Sequence, residues 1–179
     1  MEVQRTETHL IKESSSFYRW AMSECERSKN LYNRALYIYR QAFTGQHQNI
    51  EDYKMIIQKG KFVNGFGVSK RMITLKDNDY YSMTKKNSAT QVIFQVDRVM
   101  KSWFAALKSY KKNPSRFNGR PRMPRYKKKN ELNCLTYTYM DAKLQKDGTI
   151  NIRRDIKIPI HTDIEKFQQV RIIPKQGCI

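Results

Sequence analysis

Asn118-Gly119-Arg120-Pro121-Arg122-Met123-Pro124-Arg125-Tyr126-Lys127-Lys128-Lys129 separates a long helical pattern from a run of β-type segments. Pro121 and Pro124 keep this stretch extended, and Gly119 relieves its backbone. It lies within residues 98–130, a window without a single Asp or Glu. The window carries Arg98, Lys101, Lys108, Lys111, Lys112, Arg116, Arg120, Arg122, Arg125, Lys127, Lys128 and Lys129. Like charges repel, so a fold gains no stability from that concentration of cations. A polyanion is the natural partner, and the stretch reads as the centre of a nucleic-acid surface.

Upstream, the apolar positions of residues 17–43 recur at helical spacing: Phe17, Ala21, Cys25, Tyr32, Ala35, Tyr39 and Ala42. No Gly or Pro interrupts them, Ser14-Ser15-Ser16 offers N-caps, and Gly45 offers a stop. Asn30, Arg34 and Arg40 fall off that stripe, on a solvated face. A second helix is expected from Ser88 as cap, with Ala89, Val92, Ile93, Val96, Val99, Met100, Trp103, Phe104 and Leu107 on its core face. Gln91, Gln95, Arg98 and Lys101 lie off this second stripe. Pro114 ends the helix. The two stripes should pack into a small bundle. Between them, residues 50–58 read as a short helix, and Gly60, Gly65 and Gly67 as loop. Ser69 is read as the cap of a short helix through Leu75, and Asp77-Asn78-Asp79 as a turn.

After Glu131 the period becomes two. Leu135, Tyr137 and Tyr139 alternate with Thr136 and Thr138, and Ile150, Ile152, Ile156 and Ile158 continue the pattern. Lys146-Asp147-Gly148-Thr149 is a hairpin turn, because Asp-Gly tolerates positive φ. Residues 170–173 form a last short strand. Val3, Thr6, Thr8 and Leu10 suggest one strand before the helices. The order implies an α+β fold: a split β domain with a helical insertion. Residues 1–13 are its first strand, 14–112 the helical lobe, and 113–179 the basic loop with the rest of the β domain.

Composition agrees with a polyanion partner. The chain has 179 residues and a formal net charge of +19, from 35 Lys and Arg against 16 Asp and Glu. No apolar run approaches the roughly 20 residues of a spanning helix, and the N-terminus lacks a signal peptide's apolar core. No membrane partner and no secretion are expected. Cys25, Cys134 and Cys178 form no CxxC pair, so no zinc ribbon is encoded. Cys25 belongs to the core. Phosphodiester chemistry usually needs carboxylates gathered around metal ions. Glu51-Asp52 and Asp77 with Asp79 are the only close acidic groupings singled out, and capping explains them. His9, His47 and His161 have no ligand spacing, and nothing places Cys134 beside His161. No catalytic residue, metal or cofactor is assigned.

The binding residues follow from charge and stacking chemistry. Lys101, Arg116, Arg120, Arg122, Arg125, Lys127, Lys128 and Lys129 suit phosphates. Tyr126 offers a stacking surface, with Tyr110 and Phe117 flanking the loop; each ring serves equally well as an anchor. Asn87, Thr90 and Gln91, at the start of the second helix, suit base edges.

Three segments resemble the N-terminal half of the TnpB/OrfB proteins of insertion sequences, compact relatives of RNA-guided type V CRISPR nucleases. The segment Ser28-Lys29-Asn30-Leu31-Tyr32-Asn33, followed by Tyr37-Ile38-Tyr39-Arg40-Gln41-Ala42-Phe43, is similar to the family's first recognition helix. Ser88-Ala89-Thr90-Gln91-Val92-Ile93, running on to Lys101-Ser102-Trp103-Phe104-Ala105-Ala106-Leu107, is similar to its second marker helix. Gly119-Arg120-Pro121-Arg122-Met123-Pro124-Arg125-Tyr126-Lys127 matches its G-x-P-x-x-P-x-[FY]-K loop. The resemblance implies a small wedge-type, OB-like β-barrel interrupted by a helical recognition bundle. It implies a guide RNA and double-stranded target DNA as partners. Asn87, Thr90 and Gln91 would face the motif beside the target, and Arg120, Arg125, Lys127 and Lys128 the nucleic-acid backbone. It also implies a cytoplasmic, nucleoid-associated protein of a prokaryote. Family nucleases continue into a RuvC-like domain and a zinc ribbon, which do not follow here before Gln176-Gly177-Cys178-Ile179. No nuclease activity is therefore expected of the chain alone, and a separately encoded RuvC half is a further candidate partner. The rival readings are a standalone DNA-binding repressor of element ends and a non-functional remnant of a transposase gene.

Overall fold

A computed structural model describes residues 6–45, 63–153, 155–162, 164 and 166–174. Two long helices form its frame. Helix α1, Ser16–Thr44, starts where the Ser15 hydroxyl accepts from the Phe17 amide and stops at Gly45, whose φ of 70° is left-handed. Every apolar position expected on its stripe is buried. Helix α4, Lys86–Lys112, packs on it through Ala89, Val92, Ile93, Val96 and Met100. The C-terminal third of that stripe, Trp103, Phe104 and Leu107, is half-buried.

Among the described residues, two short helices lie between them. Helix α2, Gly65–Thr74, corrects the loop expected at Gly65 and Gly67. Asn64 caps it by accepting from the Gly67 amide, and Ser69 sits buried in its interior. Gly65 is required by proximity, since a Cβ there would come within 2.7 Å of Phe94 Cε1. Helix α3, Asn78–Ser82, is capped by Asp77, which accepts from the Asp79 and Tyr80 amides. The capping reading therefore holds for Asp77, while Asp79 lies in the first turn of this helix and Glu51, Asp52 and the helix expected at 50–58 lie outside the described residues. Ser88 is not the cap of α4. The helix begins earlier, at Lys86, with no side-chain cap, and Ser88 is fully buried.

The strands follow the expected alternation. β1, Leu135–Thr138, pairs antiparallel with β5, Gln169–Ile172, from Leu135 opposite Ile172 to Thr138 opposite Gln169. β2, Lys143–Leu144, β3, Ile150–Arg153, and β4, Ile156–Ile158, form an antiparallel meander with an irregularity between Asn151 and Arg153. The turn before β3 has Gly148 at φ 76°, and Asp147 accepts from the Thr149 amide and hydroxyl. The fold is thus α+β with two small antiparallel sheets and, among the described residues, no closed barrel. Residues 6–12 form no strand. They are tied to the chain after β4, where the Thr162 hydroxyl donates to Glu7 at 2.6 Å. Helices and strands share one buried cluster, in which Leu135, Tyr137, Ile150 and Ile158 join the helical stripes. No described helix is long and apolar enough to cross a membrane.

Candidate nucleic-acid interface

Residues 120–134 form a strap, extended except for a turn at Lys129 and Asn130, laid antiparallel along α1, and the two long helices hold its backbone. Trp103 Nε1 of α4 donates to the Pro121 carbonyl at 3.2 Å. Asn33 clamps Lys127 twice: its Nδ2 donates to the Lys127 carbonyl at 2.9 Å, and its Oδ1 accepts from the Lys127 amide at 2.8 Å. Lys29 Nζ donates to the Lys129 carbonyl at 3.2 Å. The Asn133 amide donates to the Cys25 carbonyl, and the Ser28 hydroxyl donates to the Cys134 carbonyl. Asn133 Nδ2 completes the joint by donating to Ser28 and to Gln95 of α4. An extended chain has no ladder partners of its own, so these bonds replace the ones a sheet would provide.

Fixing the backbone leaves the cations outside. Arg120, Arg122, Arg125, Lys128 and Lys129 are exposed, and among the described residues none of them has a carboxylate within salt-bridge distance. Lys127 is half-buried, with its ammonium 5.4 Å from the centre of the Tyr32 ring. Tyr126 packs against Arg40 of α1, with the guanidinium 4.9 Å from its ring centre. Arg116 is exposed in a single 3-10 turn, Pro114–Arg116, and Tyr110 and Phe117 beside it pack edge to face at 5.6 Å.

Helix α4 adds a second row. Arg98, Lys101, Lys108 and Lys112 are all exposed, and Ala105 occupies the slot between Lys101 and Lys108. At about 100° per residue they share roughly 80° of the helix surface over about 21 Å of its length. Like charges so spaced on one helix repel. Among the described residues, Lys101 alone of the four is paired, at 2.6 Å from the carboxylate of Asp97. Asp97 is a buried acid that the sequence reading missed. Its other oxygen accepts from the Tyr39 hydroxyl at 2.6 Å and the Gly65 amide at 3.1 Å, joining α1, α2 and α4. Burial, with the bond to Asp97, pushes the Tyr39 hydroxyl well above the usual phenol range.

The residues expected to meet base edges are placed differently. Asn87 Nδ2 donates to the Thr138 hydroxyl at 2.8 Å and to Asp141 at 3.0 Å, tying the start of α4 to the end of β1. The Thr90 hydroxyl donates to the Lys86 carbonyl and meets the Tyr80 hydroxyl at 3.2 Å. Gln91 is half-buried. Burial raises the Asp141 carboxyl above its ordinary range, and the bond from Asn87 opposes that shift. A second buried acid, Glu24, accepts from the Thr84 amide at 2.6 Å and from Arg27 at 3.0 Å, holding the approach to α4. Its spacing of three residues from Ala21 and seven from Phe17 puts it on the apolar stripe, and that was the available signal. Cys134 faces Gln95 of α4, whereas His161 lies over Gly148 in the β turn. Among the described residues, no three His, Cys, Asp or Glu side chains gather as a metal site would require.

The arrangement can neutralise phosphates along two rows, the strap and the α4 stripe, with the Tyr126 ring set among the cations of the strap. No family model, curated protein or solved structure matches this chain.

Proposed function

We propose that the chain is a nucleic-acid-holding module of the TnpB/OrfB kind. In this reading it grips a guide RNA and helps engage double-stranded target DNA, and by itself it binds without cutting. The strands belong to a wedge-type β domain and the helices to a recognition lobe. Arg120, Arg122, Arg125, Lys128 and Lys129 contact phosphates, with Arg98, Lys108 and Lys112 in a parallel role. The observation that carries the reading is the strap: its backbone is bonded to α1 and α4 while its exposed cations, unpaired among the described residues, face outward. A surface already held in place loses little conformational entropy when a polyanion binds. Of the base-reading set, Gln91 is the residue assigned to the motif beside the target, because Asn87 and Thr90 are engaged within the fold.

The test is purification of the full chain from its own host at moderate salt, followed by sequencing of retained nucleic acid. A defined RNA released by high salt is the expected result, with no cleavage of plasmid DNA in magnesium. Recovery free of nucleic acid, with weak and salt-insensitive binding to added RNA, would overturn the reading. Tighter binding to one duplex with no RNA present would favour a DNA-binding repressor instead.

A further inference from the structure

The seam between α1 and the strap carries two tyrosines whose rings are each backed by an arginine. Tyr126 of the strap lies against the Arg40 guanidinium, and Tyr37 of α1 lies against that of Arg34, 5.7 Å from its centre. Arg34 is itself fixed by Asp77, which accepts from its Nε at 2.9 Å. Tyr37 and Arg40 are three residues apart on α1, a rise of about 4.5 Å, so they share one side of the helix. Asn33, which clamps the strap, is on that side as well. Tyr126 and Tyr37 remain 38% and 39% exposed, unlike the buried Tyr32 and Tyr39 of the same helix. Exposed Arg125 and Lys128 flank Tyr126.

A ring held by a cation on one face has its other face available for stacking. The bases of a duplex already stack on each other, so only an unpaired base offers a free π-face. We infer that this seam is a stacking ledge for an unpaired stretch of a nucleic-acid strand, with two bases on Tyr126 and Tyr37 and the adjoining phosphates on Arg125 and Lys128. The inference rests on the nucleic-acid reading above and specifies the form of strand taken at this part of the surface. A stacking contact reads no base identity, so the ledge tolerates any sequence and accepts RNA and DNA strands alike.

The test uses the full chain and three labelled probes followed by fluorescence anisotropy: a short mixed-sequence RNA, the DNA strand of the same sequence, and the blunt DNA duplex. Tyr126→Ser and Tyr37→Ser should each weaken both single strands by roughly tenfold, within the range of one base–aromatic stack. The duplex should be unaffected, and so should the salt dependence for every probe. Tyr126→Phe and Tyr37→Phe should bind as the parent does, because the ring is kept. Thermal melting of each variant separates anchoring from stacking. A Ser variant that melts lower but binds single strands normally overturns the ledge, as does equal weakening of single strand and duplex. Failure of the parent chain to bind any probe would overturn the nucleic-acid reading itself. Normal parent binding with no effect of the Ser variants would overturn the ledge alone.

Discussion

Replacing Asn33 by Ala removes both bonds that hold Lys127 to α1. Each is a neutral hydrogen bond of ordinary length, contributing a net of about 1 kcal/mol, so the pair stabilises the fold by about 2 kcal/mol. Ala suits a helix interior better than Asn and returns about 0.6 kcal/mol. The net loss is then about 1.4 kcal/mol, or roughly 3–6 °C in melting temperature for a chain of this size. The effect is local: Trp103–Pro121 above the clamp and Lys29–Lys129 below it are untouched. Hydrogen exchange should therefore quicken at the Lys127 amide with little change along α1 itself. Affinity for a labelled RNA should fall severalfold while its salt dependence stays constant, because every cation remains. Asn33→Asp keeps the acceptor and loses the donor, so it should leave the Lys127 amide protected and still cost stability. Unchanged exchange at Lys127 in Asn33→Ala, or a melting shift below about 1 °C, would refute the clamp.

Two further outcomes follow from the buried groups. Asp97→Ala leaves the Tyr39 hydroxyl and the Gly65 amide without their shared acceptor, and bonds to a charged acceptor contribute about 1.5–3 kcal/mol each. A loss of at least about 3 kcal/mol is expected in denaturant melts, against less than about 1 kcal/mol for Lys101→Ala at the exposed end of the same carboxylate. Burial, with Cys134 and Glu24 adding to it, pushes the Cys25 thiol up to about 12 from its ordinary 9.0. The unfolded chain therefore loses this proton first as pH rises, and Cys25 contributes stability that is present below pH 9 and lost between about 9 and 12. Cys25→Ala should flatten the stability curve over that range. Native Cys25 should also resist iodoacetamide at pH 8 and react once the chain is denatured, read by peptide mapping.

Local rules carried most of the fold. The stripes of α1 and α4, the Ser15 and Gly45 ends of α1, the Asp147-Gly148 turn and the alternation through β1, β3 and β4 each depend on neighbours within a few residues. The misreadings have long-range causes. Gly65 and Gly67 resemble loop punctuation, yet Gly65 is small because Phe94 packs over it from α4. Asn87 resembles a free amide at a helix start, yet Thr138 and Asp141, 51 and 54 positions further along the chain, lie beside it. Asp97 went unread because its partners come from elsewhere in the chain: only the arrival of Tyr39 and α2 makes it a joint. The cations of the candidate surface were legible because they need no partner within the chain. The clamps that display them were not, since Asn33 and Lys127 are separated by 94 residues. The strands came from pattern alone, while their closure into a barrel was an expectation from resemblance.

The most direct test of a cation surface built for phosphates is the salt dependence of RNA binding by the full chain and by the variant Arg120→Ala/Arg122→Ala/Arg125→Ala/Lys128→Ala. Engagement of about eight phosphates of a single strand gives a log–log slope of about −6, and removing four contacts should bring it to about −3. A parent slope near zero, or the same slope in both proteins, would contradict the assignment of the strap.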